Sequence, residues 1–165
     1  MTTTPFDSIT RCNKKESEEI MAYISQERKK ERAPNIKAVL KKYGAKGSIA
    51  VKHHSSLVVN ISASPFDFIG VRNAEMKKES ERTGRTYYEN TSNYIQVNTY
   101  WISDHYQGEA RNFLTELLQA MKGDDWFDES DMMTDYHHID FYLDINVGKW
   151  NKPYVCTADQ EALAA

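Results

Sequence analysis

The sequence predicts an α+β fold: a single mixed or antiparallel sheet of about four strands with helices packed on one face. Three observations carry this. Four stretches alternate apolar and polar residues, and at least three others place apolar residues at helical spacing. The 165 residues also make about one domain, long enough to bury one sizeable core. Residues 1–165 are therefore expected to form one domain, with 1–33 as an N-terminal helical extension and 34–155 as the core.

The first predicted helix covers about 14–31, where Asn13 and Glu16 have capping-box spacing. Its apolar content is thin (Ile20, Met21, Ile24), and its polar end, 26–32, is expected to project into water. A second helix should open at Pro34, a favoured first-turn residue. Ile36, Val39, Leu40 and Tyr43 recur at helical spacing, and Gly44 follows as the cap.

Two strands come next, over 48–54 and 56–63. Ile49 and Val51 share one face of the first, opposite Lys52 and His54. In the second, Leu57, Val59 and Ile61 oppose Val58, Asn60 and Ser62. The link His53-His54-Ser55-Ser56 reads as a tight hairpin, and Pro65 ends the second strand. The polar segment 71–93 reads as a surface excursion, with Asn73 capping a short helix that ends near Gly84.

A third strand, about 94–102, should turn Ile95, Val97 and Trp101 inward and Tyr94, Gln96, Asn98 and Tyr100 outward. A helix over about 104–122 follows, with an apolar stripe of Ala110, Phe113, Leu114, Leu117, Leu118 and Met121 closed by Gly123. In the fourth strand, 138–147, Ile139, Phe141, Leu143, Ile145 and Val147 alternate with His138, Asp140, Tyr142, Asp144 and Asn146. Strand three, the helix and strand four are expected to form a crossover unit.

Composition excludes some classes. With 40% hydrophobic and 27% charged residues the chain resembles neither a disordered nor a membrane protein. No apolar run approaches the roughly 20 residues of a membrane helix, so no membrane partner is expected. The start lacks the layout of a signal peptide, and the two cysteines, Cys12 and Cys156, lie far apart. Both features suit a cytoplasmic location. The net charge of −3 hides a split: residues 1–86 hold 17 Lys+Arg against 10 Asp+Glu, and residues 87–165 hold 4 against 14. Segregated in space, these halves would make a two-faced molecule; interleaved, they would pair on the surface.

The outer face of the predicted sheet is rich in Tyr and Asn, residues that supply rigid apolar area and paired donors and acceptors. Such a face suits a protein partner, and exposed aromatics also suit stacked bases. A half-exposed antiparallel sheet is in any case polar outside. The acidic stretch 123–144 adds charge that could imitate phosphate toward a basic partner. The candidate partner-binding residues are therefore Tyr94, Tyr100, Asp124, Asp125, Asp128, Asp131, Asp140 and Tyr142.

A nucleic-acid alternative places Arg28, Lys29, Lys30, Arg32, Arg82 and Arg85 on phosphates, with Tyr87, Tyr88 or Tyr94 stacking. A second alternative, a metal-dependent hydrolase, uses His138, Asp140 and Asp144 on one strand face. The stretch lacks the glycine and terminal Glu of an EF-hand and any zinc-ligand spacing. No nucleophile elbow or phosphate-cradling glycine loop occurs, so no catalytic residue, resident metal or cofactor is assigned. A homodimer is a further expectation, because exposed aromatics often close a twofold interface.

Three stretches carry a family resemblance: Ile36 to Tyr43 with the hairpin after it, Tyr100 through Gly108-Glu109-Ala110 to Ser130-Asp131 and Asp135-Tyr136, and Gly148-Lys149-Trp150-Asn151-Lys152-Pro153-Tyr154. Together, over roughly 34–155, they resemble the large polyvalent-protein-associated domains of phages and plasmids and related small phage proteins. The resemblance implies a mobile-element protein made inside a bacterium and acting on host or defence machinery, as a counter-defence inhibitor would. It implies no catalytic residues.

Overall fold

The computed structural model describes residues 21–159. Along the chain it forms α1 (Gln26–Lys42), β1 (Lys46–Lys52), β2 (Ser56–Ser64), α2 (Phe68–Thr83) and β3 (Ile95–Val97). There follow α3 (Ile102–His105), α4 (Gly108–Lys122), β4 (Tyr142–Val147) and β5 (Val155–Cys156). The α+β class holds, with one mixed sheet in the order β1-β2-β4-β3 and β5 paired to the end of β2.

β2 is central because its apolar run Leu57, Val58, Val59 and Ile61 is buried throughout. It pairs antiparallel with β1 and parallel with β4, where Leu57 lies beside Leu143 and Val59 beside Ile145. β3 joins β4 antiparallel, from Ile95↔Val147 to Val97↔Ile145. The parallel crossover thus links β2 to β4, and not the third strand to the fourth as expected. The excursion between α4 and β4 turns the chain back, so that β4 enters antiparallel to β3.

One core lies between sheet and helices. Leu57, Val59, Ile61, Ile95, Val97, Ile145 and Val147 pack with Ile36 and Leu40 of α1 and with Phe113, Leu114, Leu117 and Met121 of α4. The other face presents Asn60, Gln96, Tyr142, Asp144 and Asn146, and Asn146 donates to Asn60 across the parallel pair at 3.1 Å.

Five elements differ from expectation; among them the strand expected over 138–147 begins only at Tyr142, because 138–140 pair back on 127–129. The two helices predicted around residue 33 are one: α1 is capped by Ser25, whose hydroxyl accepts from the Arg28 amide, and runs through Pro34. Packing on both sides, at Arg32 and at Ile36, overrides the hydrogen bond that proline removes. The boundary at 33/34 therefore falls inside a helix, Ile24 is core rather than extension, and the expected cap at Asn13 lies outside the described residues. α2 begins at Phe68, capped by Asp67 rather than Asn73.

β3 ends at Val97 because Asn98 bends the chain, its side chain accepting from Tyr100 and its carbonyl from Trp101. Trp101, expected inward, is thereby exposed. The helix expected over 104–122 breaks at Tyr106 and Gln107, whose extended backbone carries the Tyr106 ring into the core. The hairpin stands as read, with His53 and His54 both at positive φ (52° and 55°), the conformation that the tight turn demands.

Candidate partner-binding surface

Between α4 and β4 the chain makes a hairpin finger over 127–140. Antiparallel backbone bonds run up it: Asp140 N–H to Phe127 at 3.0 Å, Glu129 N–H to His138 at 2.8 Å, and Asp131 N–H to Tyr136 at 2.7 Å. The tip closes because Asp131 accepts from the Met133 amide (2.8 Å) and the Thr134 hydroxyl (3.0 Å), while Asp135 takes a left-handed conformation with φ 56°. His138 sits between the Phe127 and Tyr136 rings, with centroids 4.9 and 5.8 Å away, and its Nδ1 meets Glu129 at 2.9 Å.

The base of the finger is clamped to α1. Arg28 holds Asp140 with both terminal nitrogens and reaches Asp125 at 3.2 Å. Arg32, almost wholly buried, binds Asp125 at 2.5 Å and the carbonyls of Met121 and Lys122. Both guanidinium groups lie 5.1 Å from the Phe141 ring. Trp126 completes the base by donating to the Phe141 carbonyl at 2.9 Å, with the Lys122 ammonium over its ring. Burial works to raise the Asp125 pKa, but the Arg32 charge, aided by Arg28, overcomes it and holds the carboxyl below its ordinary value.

This clamp answers the charge split. Arg28 and Arg32 from the basic half pair with Asp125 and Asp140 from the acidic half, and Lys42 pairs with Glu116. The halves interleave here and partly cancel. Arg28 and Arg32 are thus structural cations rather than phosphate contacts; the polar end 26–32 packs along their side, while Gln26, Glu27, Lys30 and Glu31 face water as expected. Arg82 pairs with Glu79 on α2, and Arg85 lies just beyond that helix, so the six basic candidates do not make one patch with Lys29 and Lys30.

Of the partner-binding candidates, Tyr100, Asp128 and Tyr142 come together. The Tyr100 hydroxyl donates to Asp128 at 3.0 Å, tying the turn after β3 to the finger. Burial and that bond raise the Tyr100 pKa. Opposing burial, the Ser130 hydrogen bonds and Tyr100 hold the Asp128 carboxyl down. The ladder with β3 stops at Ile145, so the edge of β4 from Tyr142 to Asp144 has no strand partner on that side. An open cavity of about 510 Å³ fills the gap, lined among others by Tyr100, Lys122, Trp126, Tyr142 and Asp144. Compared with protein-family models, curated proteins and solved structures, the chain matches none.

Asp124 flanks the clamp and Asp131 serves the finger tip, where hydrogen bonds from Met133 and Thr134 lower its pKa. Tyr94 is partly exposed just before β3. His138 and Asp140 are turned to Glu129 and Arg28, so the set His138, Asp140 and Asp144 does not converge. Among the described residues no three metal-ligating side chains form a cluster. No helix there is long and apolar enough to cross a membrane.

Sequence reasoning missed Met132 and Met133, which stand 88% and 93% exposed at the finger tip. A signal was available: two adjacent methionines between Asp131 and Thr134 sit at the centre of a turn, where neither can be core.

Proposed function

We propose that this protein is a non-enzymatic binding module and that the finger is its partner-contacting element. One observation carries the reading. Met132 and Met133 are held almost fully exposed on a tip whose backbone is hydrogen-bonded on both sides. Flexible, polarizable methionines suit an apolar pocket on a partner, and a pre-ordered frame lowers the entropy lost on docking.

The finger also proposes the partner's charge. Residues 124–140 contain seven carboxylates and no lysine or arginine. Asp125 and Asp140 are neutralised by the clamp, leaving Asp124, Asp128, Glu129, Asp131 and Asp135 as an acidic collar. The matching surface is an apolar pocket ringed by Lys or Arg on a host protein, consistent with the mobile-element resemblance of 34–155. Phosphate mimicry by the whole stretch is a weaker version, because two of its carboxylates face arginines of the same chain.

The test is an affinity capture from bacterial lysate at two salt concentrations, run with the wild-type chain and a Met132→Ser, Met133→Ser variant. The expected result is a protein retained by wild type, more strongly at low salt, and lost with the variant. Identical captured proteins for both chains would overturn the reading.

A further inference from the structure

We propose that the open edge of β4 at Leu143 binds a short extended peptide of a partner protein by strand addition. The peptide places an apolar side chain in the cavity beside that edge and a Lys or Arg next to Asp144. The site shares no residue with the methionine tip and goes beyond the contact assigned to the finger.

The backbone register leaves one empty rung. Tyr142 N–H donates to the Ser55 carbonyl and Gly148 N–H to that of Ile61, so the even-numbered residues of β4 turn their polar groups toward β2. The odd-numbered residues therefore turn theirs toward β3. Val147 and Ile145 meet Ile95 and Val97 there, and the Phe141 carbonyl is taken by the Trp126 indole. Leu143 stands between them. Among the described residues nothing pairs with its N–H or C=O on that side. The cause is Asn98, which bends the chain away from β4 directly after Val97.

The gap is a groove rather than a flat edge. Its cavity of about 510 Å³ has Val97, Leu118, Trp126 and Ile139 in its apolar floor, with the exposed Tyr100 and Tyr142 at its rim. An antiparallel strand fills an empty rung with a single residue, which exchanges both hydrogen bonds with Leu143. A parallel strand needs two residues for the same bonds. The residue opposite Leu143 shares its face of the sheet, so its side chain enters the apolar floor. The residues on either side of it project next to Tyr142 and Asp144 on the outer face. A peptide backbone supplies donor and acceptor at the spacing that the rung requires.

Charge selects the peptide further. Among the described residues Asp144 forms no ion pair. Tyr100 holds the Asp128 carboxylate at the same rim, at 3.0 Å. Lys122, the cation in that lining, is drawn over the Trp126 ring, 4.5 Å from its centroid. Trp126 closes the groove at the Phe141 end, away from Asp144. The Asp144 end is therefore negative, and in an antiparallel peptide it suits a basic residue immediately before the apolar one.

The probe is a blocked pentapeptide, acetyl-Thr-Arg-Leu-Thr-Thr-amide, titrated into the isotope-labelled full chain and followed by amide NMR shifts. A saturable shift of the Leu143 amide is expected. An N-methyl group on the peptide leucine removes the donor to the Leu143 carbonyl and should weaken half-saturation about tenfold. Glutamate in place of the peptide arginine should weaken it at least about threefold toward wild type, and by less toward Asp144→Asn. Both controls change the peptide, so the result does not depend on a variant that fails to fold. No saturable shift with the parent peptide, or equal half-saturation for the N-methylated one, would overturn strand addition.

Discussion

The guanidinium of Arg28 reaches across 112 residues of sequence to hold Asp140 with two hydrogen bonds, at 2.7 and 2.6 Å. Asp140 is nearly buried and has this arginine as its ion-pair partner among the described residues. The pair joins α1 to the base of the finger, so two distant parts of the chain become one body.

Arg28→Met should destabilise the fold by about 2–3 kcal/mol, because it strands a nearly buried carboxylate and breaks charge-assisted hydrogen bonds. Urea unfolding measures this. Arg28→Met combined with Asp140→Leu should cost less than the sum of the single changes, since neither charge is then left alone. Strict additivity would show that the two residues are not coupled.

Gly148 is squeezed where β4 ends. Its φ is 71°, and a Cβ there would lie 2.7 Å from the Tyr154 amide nitrogen and 2.8 Å from the Asn93 carbonyl oxygen. Those two atoms are hydrogen-bonded to each other, so neither can move freely. Gly148→Ala should cost roughly 2–4 kcal/mol, by strain at positive φ and by backbone displacement. A thermal midpoint unchanged from wild type would contradict that geometry.

His105 is lowered from its ordinary 6.5, first by burial and then by Arg72, with Asp104 opposing. A lowered folded pKa means that the unfolded chain binds this proton more readily. Its contribution to stability is therefore complete above pH 6.5 and shrinks as pH falls through 6.5 toward the lowered folded value. Between pH 7.5 and 5, as outer limits of a melting series, wild type should lose thermal stability more steeply than His105→Gln. Parallel curves would remove His105 as a cause.

The finger tip predicts the opposite kind of result. Met132→Ser with Met133→Ser should leave urea stability within about 0.5 kcal/mol of wild type, because neither side chain is buried in this chain. A larger loss would mean that these methionines pack on something within the molecule. A neutral result separates a binding defect from a folding defect in the capture experiment.

Much of the fold could be read locally. The stripe from Ala110 to Met121, the alternation in β2 and β4, and the caps at Gly84 and Gly123 are all nearest-neighbour patterns. The errors fell at one distant contact and at one local bend. Pro34 reads as a helix start until Arg32 is seen buried against the end of α4 and Ile36 in the core. Trp101 reads as inward until Asn98 is seen to bend the chain after only three strand residues. Of the candidate residues, Tyr100 and Tyr142 line one cavity and Tyr100 bonds Asp128, while Asp125 and Asp140 are held by arginines, a pairing that no local pattern announces.

By itself, the sequence determined the class of fold and the inward face of β2 and β4, because periodicity expresses which residues must leave water. It also determined that positive and negative charge are unevenly distributed along the chain. Only the tertiary structure decided that these charges meet at Arg28, Arg32, Asp125 and Asp140, that β4 runs parallel to β2, and that Met132 and Met133 stand clear of the core. Hydrophobic pattern is set within a few residues, whereas ion pairing and strand order depend on groups brought together from far apart. No local signal carries that information.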